Sequence, residues 1–496
     1  MTLGELFRGV ACRAEGWAWE GMAVRGLEYD SRRVEPGYVF FAFPGSRTSG
    51  ALYARQAVER GAVAVASELE APPDFPAPWI RLEHGRRALA LASLRFYGHP
   101  DEKLRLTGVT GTNGKTTTVF AIDAMLRSAG RRSGMAGTVV YRIGGRESMA
   151  VNTTPESLDL ARMMDEHARA GGTDFVFEVS SHALALERVH GFAFHTAVFT
   201  NLTQDHLDFH GTMEDYFAAK RRLFEGAGGP PPKFAVINCD DPWAERIETG
   251  AGTERWTYGT AAGAVFRMKD IEAGFHGVRF RVAHPRGETR IVSPLCGRFN
   301  AYNLAAAFAA GVALGLEPEE AAAGLAGCRN VPGRFERVDA GQPFLVVVDY
   351  AHTEDALRNL IEAARALGPK RVITVFGCGG DRDKTKRPRM GETAAALSDV
   401  VVATSDNPRS ENPLDILNDI LVGVRKHDTP HHVEPDRRSA IRLAISLAGS
   451  DDIVLIAGKG HETYQVLAEG TVPFDDRQVA REVLEGFGYR AEERAS

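Results

Sequence analysis

Paired cysteines, a surplus of positive charge and long apolar runs are all missing from this chain. Five cysteines occur in 496 residues, at positions 12, 239, 296, 328 and 378, odd in number and without CxxC or metal-ligand spacing. A disulfide framework is not expected, and reduced thiols in a cytoplasm fit best. Lys and Arg number 59 against 65 Asp and Glu, a formal net charge of −6, so composition gives no nucleic-acid footprint. No stretch approaches the ~18 apolar residues of a membrane helix, and the N-terminus lacks a basic segment leading into an apolar core. Neither membrane insertion nor secretion is expected. Internal repeats and low-complexity segments are also lacking. What remains is ordinary globular material, 44% hydrophobic and 25% charged, long enough for about three domains.

The chain reads as α/β throughout. Residues 1–98 mix short β-like runs, such as 37–43 and 62–66, with a helical stretch near 51–60 and a Pro-rich loop over 71–78. In residues 99–331, apolar strands at 106–110, 175–179, 196–200 and 234–238 alternate with helical patterns that include 117–129 and 156–170. That rhythm predicts βαβ units and a mostly parallel sheet. Val331-Pro332-Gly333-Arg334 marks a boundary. Residues 332–496 repeat the alternation, with strands at 344–348, 371–376, 400–404 and 453–457, and predict a second, doubly wound domain. Seven polar clusters sit where strands end: 111–116, 178–182, 201–210, 349–352, 377–386, 406–409 and 458–462. Open α/β sheets bind ligands beyond the carboxyl ends of their strands, so these clusters are expected to form a composite site.

Gly111-Thr112-Asn113-Gly114-Lys115-Thr116-Thr117 is the most informative cluster. A glycine turn between strand and helix aims backbone N–H groups at phosphate, and the helix N-terminus adds its partial positive charge. Lys115 can reach the β- and γ-phosphates, and the Thr116 hydroxyl can hold Mg²⁺. The general P-loop pattern would put glycine where Val109 stands, so this compact form is a narrower signal.

Other clusters are less decisive alone. Glu178, closing an apolar strand, can complete a Mg²⁺ shell with Thr116; the bland alternative is a capping or ion-paired glutamate. Residues 201–210 carry two His and two Asp, which suits metal binding or proton chemistry. Lys220 reads as a surface lysine from pattern alone. The basic run from Arg382 to Arg389 reads as a solvated loop, with an anion contact as the alternative.

Taken in order, Gly111–Thr117, Glu178–His182, Thr200–His210 and Tyr216–Lys220 resemble the Mur ligase family of ATP-dependent amide-bond-forming enzymes. Asp30–Gly37, Asn152–Pro155, Asp349–His352, Gly379–Lys384, Asp406–Arg409 and Gly458–Glu462 extend the resemblance over residues 25–480, nearly the whole chain. It implies three α/β domains: a small UDP-binding domain at 1–98, a central P-loop-type parallel-sheet ATPase domain at 99–331, and a Rossmann-like doubly wound domain at 332–496 that binds the incoming amino acid. It also implies roles. Gly111, Thr112, Asn113, Gly114, Lys115, Thr116 and Thr117 would hold the ATP phosphates, with Asn303 at the base and Arg334, Asp349 and His352 on the nucleotide side of the third domain. Thr116 and Glu178 would hold one Mg²⁺. His206 and a carbamylated Lys220 would hold a second. Ser31, Ser46, Arg47, Thr48, Asn152, Thr153, Thr154, Ser180 and Arg188 would contact a UDP-N-acetylmuramoyl dipeptide. The implied reaction belongs to peptidoglycan precursor synthesis, carried out by a cytoplasmic monomer. Two positions depart from the family pattern: Glu354 stands where Pro is usual, and Leu186 replaces a polar contact of some relatives.

Asp406-Asn407-Pro408-Arg409 discriminates the added amino acid. meso-Diaminopimelate has an amino acid group at each end, whereas lysine lacks the distal carboxylate. Arg409 can grip that carboxylate through a bidentate pair, with Arg382 as a second cation and Gly458 and Glu462 receiving the distal ammonium. Diaminopimelate is therefore the expected substrate, with L-lysine the alternative. A folylpolyglutamate synthase or the next muramyl ligase would fit the ATP loop, but not Asp30–Gly37 together with 406–409. A phosphotransferase would fit the loop alone. A non-catalytic nucleotide-binding module would have no need of Lys115, Glu178, His206 and Lys220.

Overall fold

The computed structural model describes residues 1–14, 18–45, 48–328 and 330–490. It is α/β and built on three parallel-rich sheets, with a two-stranded hairpin over 464–473. Contacts divide the chain into two units. The first holds Met1–Met268, Val282–Thr289 and Asn303–Leu325; the second holds Lys269–Arg281, Arg290–Tyr302 and the chain from Ala326 onward.

The first unit begins with a five-stranded sheet ordered Cys12–Ala14, Trp79–Leu82, Ala64–Ser67, Tyr38–Ala42 and Gly26–Glu28. Its last four strands run parallel to one another through three pairings, and Cys12–Ala14 pairs antiparallel with Trp79–Leu82. The expected runs at 37–43 and 62–66 are the strands Tyr38–Ala42 and Ala64–Ser67, and the stretch near 51–60 is a 3₁₀ turn followed by the helix Ala54–Glu59. In the second sheet of this unit, Arg105–Thr110 lies between Asp174–Glu178 and Phe194–Phe199, parallel to both. Register places Glu178 beside Val109 and Phe199 beside Thr110. Three strands therefore end together, and their following loops converge. Beneath them Phe175, Phe177, Phe199 and Phe224 are fully buried; each such side chain contributes roughly 1.5–3 kcal/mol of burial. The helices Lys115–Ser128 and Ser157–Arg169 match the expected patterns closely.

The second unit carries a six-stranded sheet ordered Glu336–Val338, Leu345–Asp349, Ile453–Ala457, Val372–Phe376, Val400–Ala403 and His431–Val433. All neighbours are parallel except the first pair. Side chains alternate between two cores: Val347, Val401 and Leu455 pack on one face, Val346, Val402 and Ile456 on the other. Near-continuous apolar strands buried on both faces are what a parallel sheet covered by helices requires. The late strand Ile453–Ala457 inserts between two earlier ones, so the loops after it, after Leu345–Asp349 and after Val372–Phe376 meet at a topological switch point.

Candidate active site

The phosphate loop is built by steric necessity. Gly111 has φ of +147°, and a Cβ there would sit 1.9 Å from Thr200 Oγ1. Gly114 has φ of +84°, and a Cβ there would sit 2.2 Å from Asn303 Oδ1. Both positions combine a left-handed conformation with close approach, which only glycine allows. The loop is held from the neighbouring strand end: Thr112 N–H donates to the Asn201 carbonyl at 2.8 Å, Asn113 N–H to Asn201 Oδ1 at 2.9 Å, and the Thr200 hydroxyl to the Asn113 carbonyl at 2.6 Å. No side chain caps the start of the helix Lys115–Ser128, the arrangement in which first-turn N–H groups take an anion. Lys115 Nζ folds back on the carbonyls of Gly111 and Thr112 at 2.9 and 2.8 Å. Thr117 is buried in the first turn.

Buried hard oxygens meet at this loop. The Thr116 hydroxyl donates to Glu178 Oε1 at 3.0 Å. Glu178, 1% exposed, also accepts from Thr138 N–H at 2.7 Å and from the Thr138 hydroxyl at 3.2 Å, and it has no cationic partner among the described residues. A Cβ on Gly137 would lie 2.5 Å from the same carboxylate. A buried carboxylate beside a hydroxyl at a phosphate loop is the donor set that suits Mg²⁺, which takes few protein ligands and completes its shell with phosphate oxygens and water.

Lys220 departs from its surface reading. It is 2% exposed, donates from Nζ to the Gly111 carbonyl at 2.8 Å, and lies 4.5 Å from the centre of the Tyr216 ring. Burial, with help from the positive charge of Lys115, pushes its pKa well below the ordinary lysine value. It has no carboxylate partner among the described residues. A neutral buried amine is a nucleophile for CO₂, so these surroundings fit carbamylation. Nearby, the His182 ring lies 4.7 Å from that of His206 and 5.6 Å from that of His210. Burial, then mutual repulsion, lowers the pKa of His182 to about 4; burial likewise lowers that of His206. Neutral imidazole is the metal-binding form. Among the described residues, no group of three His, Cys, Asp or Glu is placed to hold a metal.

The expected peptide-contact residues are also grouped. The Thr154 hydroxyl donates to the Glu178 carbonyl at 2.7 Å and accepts from Ser180 N–H at 3.1 Å. Thr153 and Thr138 hydroxyls are 3.1 Å apart, and Arg188 donates to the Thr154 carbonyl at 2.9 Å. The backbone of Asn152 is clasped by the Tyr141 hydroxyl. Ser31, in the N-terminal sheet region, is buried and bonds Gln56 at 2.8 Å. Thr48 is exposed and its carbonyl accepts from Gly45 N–H at 2.9 Å. Ser46 and Arg47 lie outside the described residues.

In the second unit, Arg334, Asp349 and His352 surround Tyr350. Arg334 stacks its guanidinium 5.5 Å from the Tyr350 ring centre, and its buried Nε has no hydrogen-bond partner among the described residues. Asp349 accepts from Phe335 N–H at 2.7 Å and Ala351 N–H at 2.9 Å; burial raises its pKa, opposed by Arg334. The His352 ring is 4.6 Å from that of Tyr350.

Around 406–409, Arg409 sits at φ +54° and donates from Nη1 to the Gly380 carbonyl at 2.7 Å. No carboxylate among the described residues pairs with it. Gly379 and Gly380 admit this approach, since a Cβ on either would meet Arg409 Nη1 at 2.9 Å or the Pro408 carbonyl at 1.9 Å. Gly458 is needed for a similar reason: a Cβ there would lie 2.6 Å from Asp406 Oδ2. Asn407 Nδ2 donates to Glu462 at 2.9 Å. Arg382 is exposed and donates to the Asp381 carbonyl at 3.2 Å. The solvated-loop reading of the basic run fails for Arg387, which is fully buried and paired with Glu411 and Asp419 at 2.9 Å each.

Thr200, Tyr216 and Lys459 stand inside motifs that carried the resemblance but were given no role of their own. Thr138 was missed: it meets Glu178 from 40 residues away, which no local pattern signals.

A phosphate loop on a parallel sheet, a buried hydroxyl–carboxylate pair and a second doubly wound sheet define a nucleotide-dependent α/β enzyme. Models of the Mur ligase family match most of the chain: its catalytic domain at 23–97, its middle domain at 109–311 and its glutamate ligase domain at 333–460. The chain is 62% identical over 466 residues to the UDP-N-acetylmuramoyl-L-alanyl-D-glutamate–2,6-diaminopimelate ligase of Solibacter usitatus, covering 94% of each chain. It is 48% identical over 459 residues to the ligase of the same name from Geobacillus thermodenitrificans, covering 92% of this chain and 94% of that one. A solved structure of a ligase of that name aligns with TM-score 0.70 at 32% identity, over 98% of this chain and 99% of its own. The chain belongs to the Mur ligase family. It is an ATP-dependent ligase that forms an amide bond.

Proposed function

We propose that this chain joins meso-2,6-diaminopimelate to the D-glutamate of UDP-N-acetylmuramoyl-L-alanyl-D-glutamate, at the cost of one ATP, in cell-wall precursor synthesis. Residues 1–98 would bind the UDP end, 99–331 ATP, and 332–496 the incoming amino acid. The relatives named as diaminopimelate ligases support this reading, as does an Arg409 without a carboxylate partner of its own. L-Lysine is disfavoured as the added residue, since it would leave that cation unmatched. The observation that carries an acyl-transfer reading over simple phosphotransfer is Lys220, a buried amine 2.8 Å from the loop carbonyl of Gly111, whose carbamate would add an anion to hold a second Mg²⁺ for the acceptor carboxylate.

In this mechanism the substrate carboxylate oxygen attacks the γ-phosphorus, the bond to the β-phosphate oxygen breaks, and ADP leaves. The amine of diaminopimelate then attacks the acyl carbon. The tetrahedral intermediate expels inorganic phosphate and the nitrogen loses a proton. Gly111–Thr117 and Lys115 hold the phosphates in line, and Thr153, Thr154, Ser180 and Arg188 orient the peptide, so positioning and charge neutralisation carry the catalysis. Thr116 and Glu178 would hold one Mg²⁺, and His206 with carbamylated Lys220 a second. These ions would neutralise charge on the phosphates and the acceptor carboxylate. Asn303, against Gly114, would border the nucleotide base, and Arg334 would offer its unpartnered Nε to phosphate. Among the described residues, no helix is long and apolar enough to cross a membrane. The peptidoglycan-precursor reaction of the family would make this a cytoplasmic enzyme, and a monomer is expected.

Phosphate release measured with ATP, the UDP-muramoyl dipeptide and each amino acid tests this. Turnover that requires both the dipeptide and diaminopimelate supports it. ADP formed without an amino acid and without free phosphate points to a phosphotransferase, and equal or better turnover with L-lysine removes the specificity.

A further inference from the structure

Lys459 lies between the strand Ile453–Ala457 and Glu462 and has no place in the roles above. Its side chain is fully buried. Nζ donates to Glu462 Oε2 at 2.8 Å and to Asn407 Oδ1 at 3.1 Å. Val466 N–H donates to the same Asn407 oxygen at 2.9 Å. With both donors on Oδ1, the amide has a single orientation, and Nδ2 must face Glu462 Oε2. One oxygen of Glu462 is thus fully engaged, and only Oε1 is left to meet an incoming ammonium.

The buried and half-buried charges of this knot balance: Asp406 and Glu462 supply two carboxylates, and Lys459 and Arg409 two cations. Arg382 is exposed, on the Asp381 carbonyl, and is left out of the count. Arg409 is tied to the same segment through its N–H, which donates to the Val466 carbonyl at 3.0 Å, and Lys459 Nζ is 5.6 Å from the Tyr464 ring centre. The neighbouring Arg437–Asp476 pair is buried and neutral within itself. The distal end of diaminopimelate is a zwitterion and brings no net charge. The distal end of L-lysine is a cation and would suit a pocket with one carboxylate in excess.

We propose that Lys459 is a specificity-determining positioning residue: by fixing Asn407 and cancelling one of two carboxylates, it makes the pocket accept a zwitterionic end over a cationic one. This rests on the diaminopimelate reading above. Asp406, Asn407, Arg409 and Glu462 would touch the amino acid, whereas Lys459 acts only through Asn407 and Glu462.

The test is the ratio of kcat/KM for L-lysine to that for meso-diaminopimelate in wild type, K459M and K459R. K459M is expected to raise the ratio ~10-fold or more, while K459R, which keeps the charge, holds it within ~3-fold of wild type. A merely structural lysine would lower both activities together, so an unchanged ratio in K459M overturns the inference. Should K459M fail to fold, K459Q, uncharged but still able to hydrogen-bond Asn407 and Glu462, carries the test: it too should raise the ratio, and a ratio unchanged from wild type overturns the proposal. The wild-type arm separates the two claims. If wild type prefers L-lysine, the diaminopimelate reading itself fails, whatever Lys459 does.

Discussion

Lys220 and Arg409 show how much a single side chain's surroundings decide. An exposed lysine is an ammonium near neutrality; Lys220, with its pKa driven down by burial and by Lys115, holds more neutral amine. Carbamate formation from amine and CO₂ releases a proton, so acid reverses it. Activity should therefore fall reversibly when CO₂ is stripped at mildly acidic pH and return with bicarbonate, as read by phosphate release. K220A should lose ~100-fold or more in kcat, with partial rescue by short carboxylates; full activity without rescue would refute the carbamate role. R409A should lower kcat/KM for diaminopimelate by about 2–4 kcal/mol of binding, ~30- to 1,000-fold, with little change in KM for ATP. Neither environment was legible locally. Lys220 sits on an ordinary helix, Met213–Arg221, and its burial comes from the Gly111 carbonyl more than a hundred residues earlier.

Among elements, the glycine loop was the most legible, because its conformation is demanded residue by residue. G114A forces a Cβ into Asn303 at a left-handed φ and should lower kcat/KM for ATP ~100-fold, measured against an unchanged UDP-substrate affinity. The main parallel strands were legible as apolar runs. Strands Phe266–Gly274 and Gly277–His284 were not, because their faces alternate charge, as in Arg279–Glu272 and the Arg281–Asp270 pair. Glu187 was equally hidden. It joins Arg87 on the helix Gly85–Phe96, Arg222 after Met213–Arg221, and His190. Burial would raise its pKa, but His190, Arg222 and Arg87 win and lower it to about 2. A depressed carboxyl stabilises the fold above its unfolded pKa near 4.5, and that contribution is lost as pH falls toward 2. E187Q should therefore cost about 2–3 kcal/mol at pH 7, and the difference should shrink below pH ~4 in denaturation curves taken across pH.

For the whole molecule, α/β class and the ends of strands as the place of chemistry followed from sequence, because parallel strands are apolar and their loops are not. The added amino acid was expected from one motif, Asp406–Arg409. It rests on Arg409, on the fixed Asn407 and on a charge balance assembled from residues 406–409 and 458–466. The most direct measurement is phosphate release coupled to amide product, run with the UDP-muramoyl dipeptide and ATP in three arms. The account predicts turnover with meso-diaminopimelate, little with L-lysine and none without an amino acid; equal or faster turnover with L-lysine, or release with no amino acid, would contradict it.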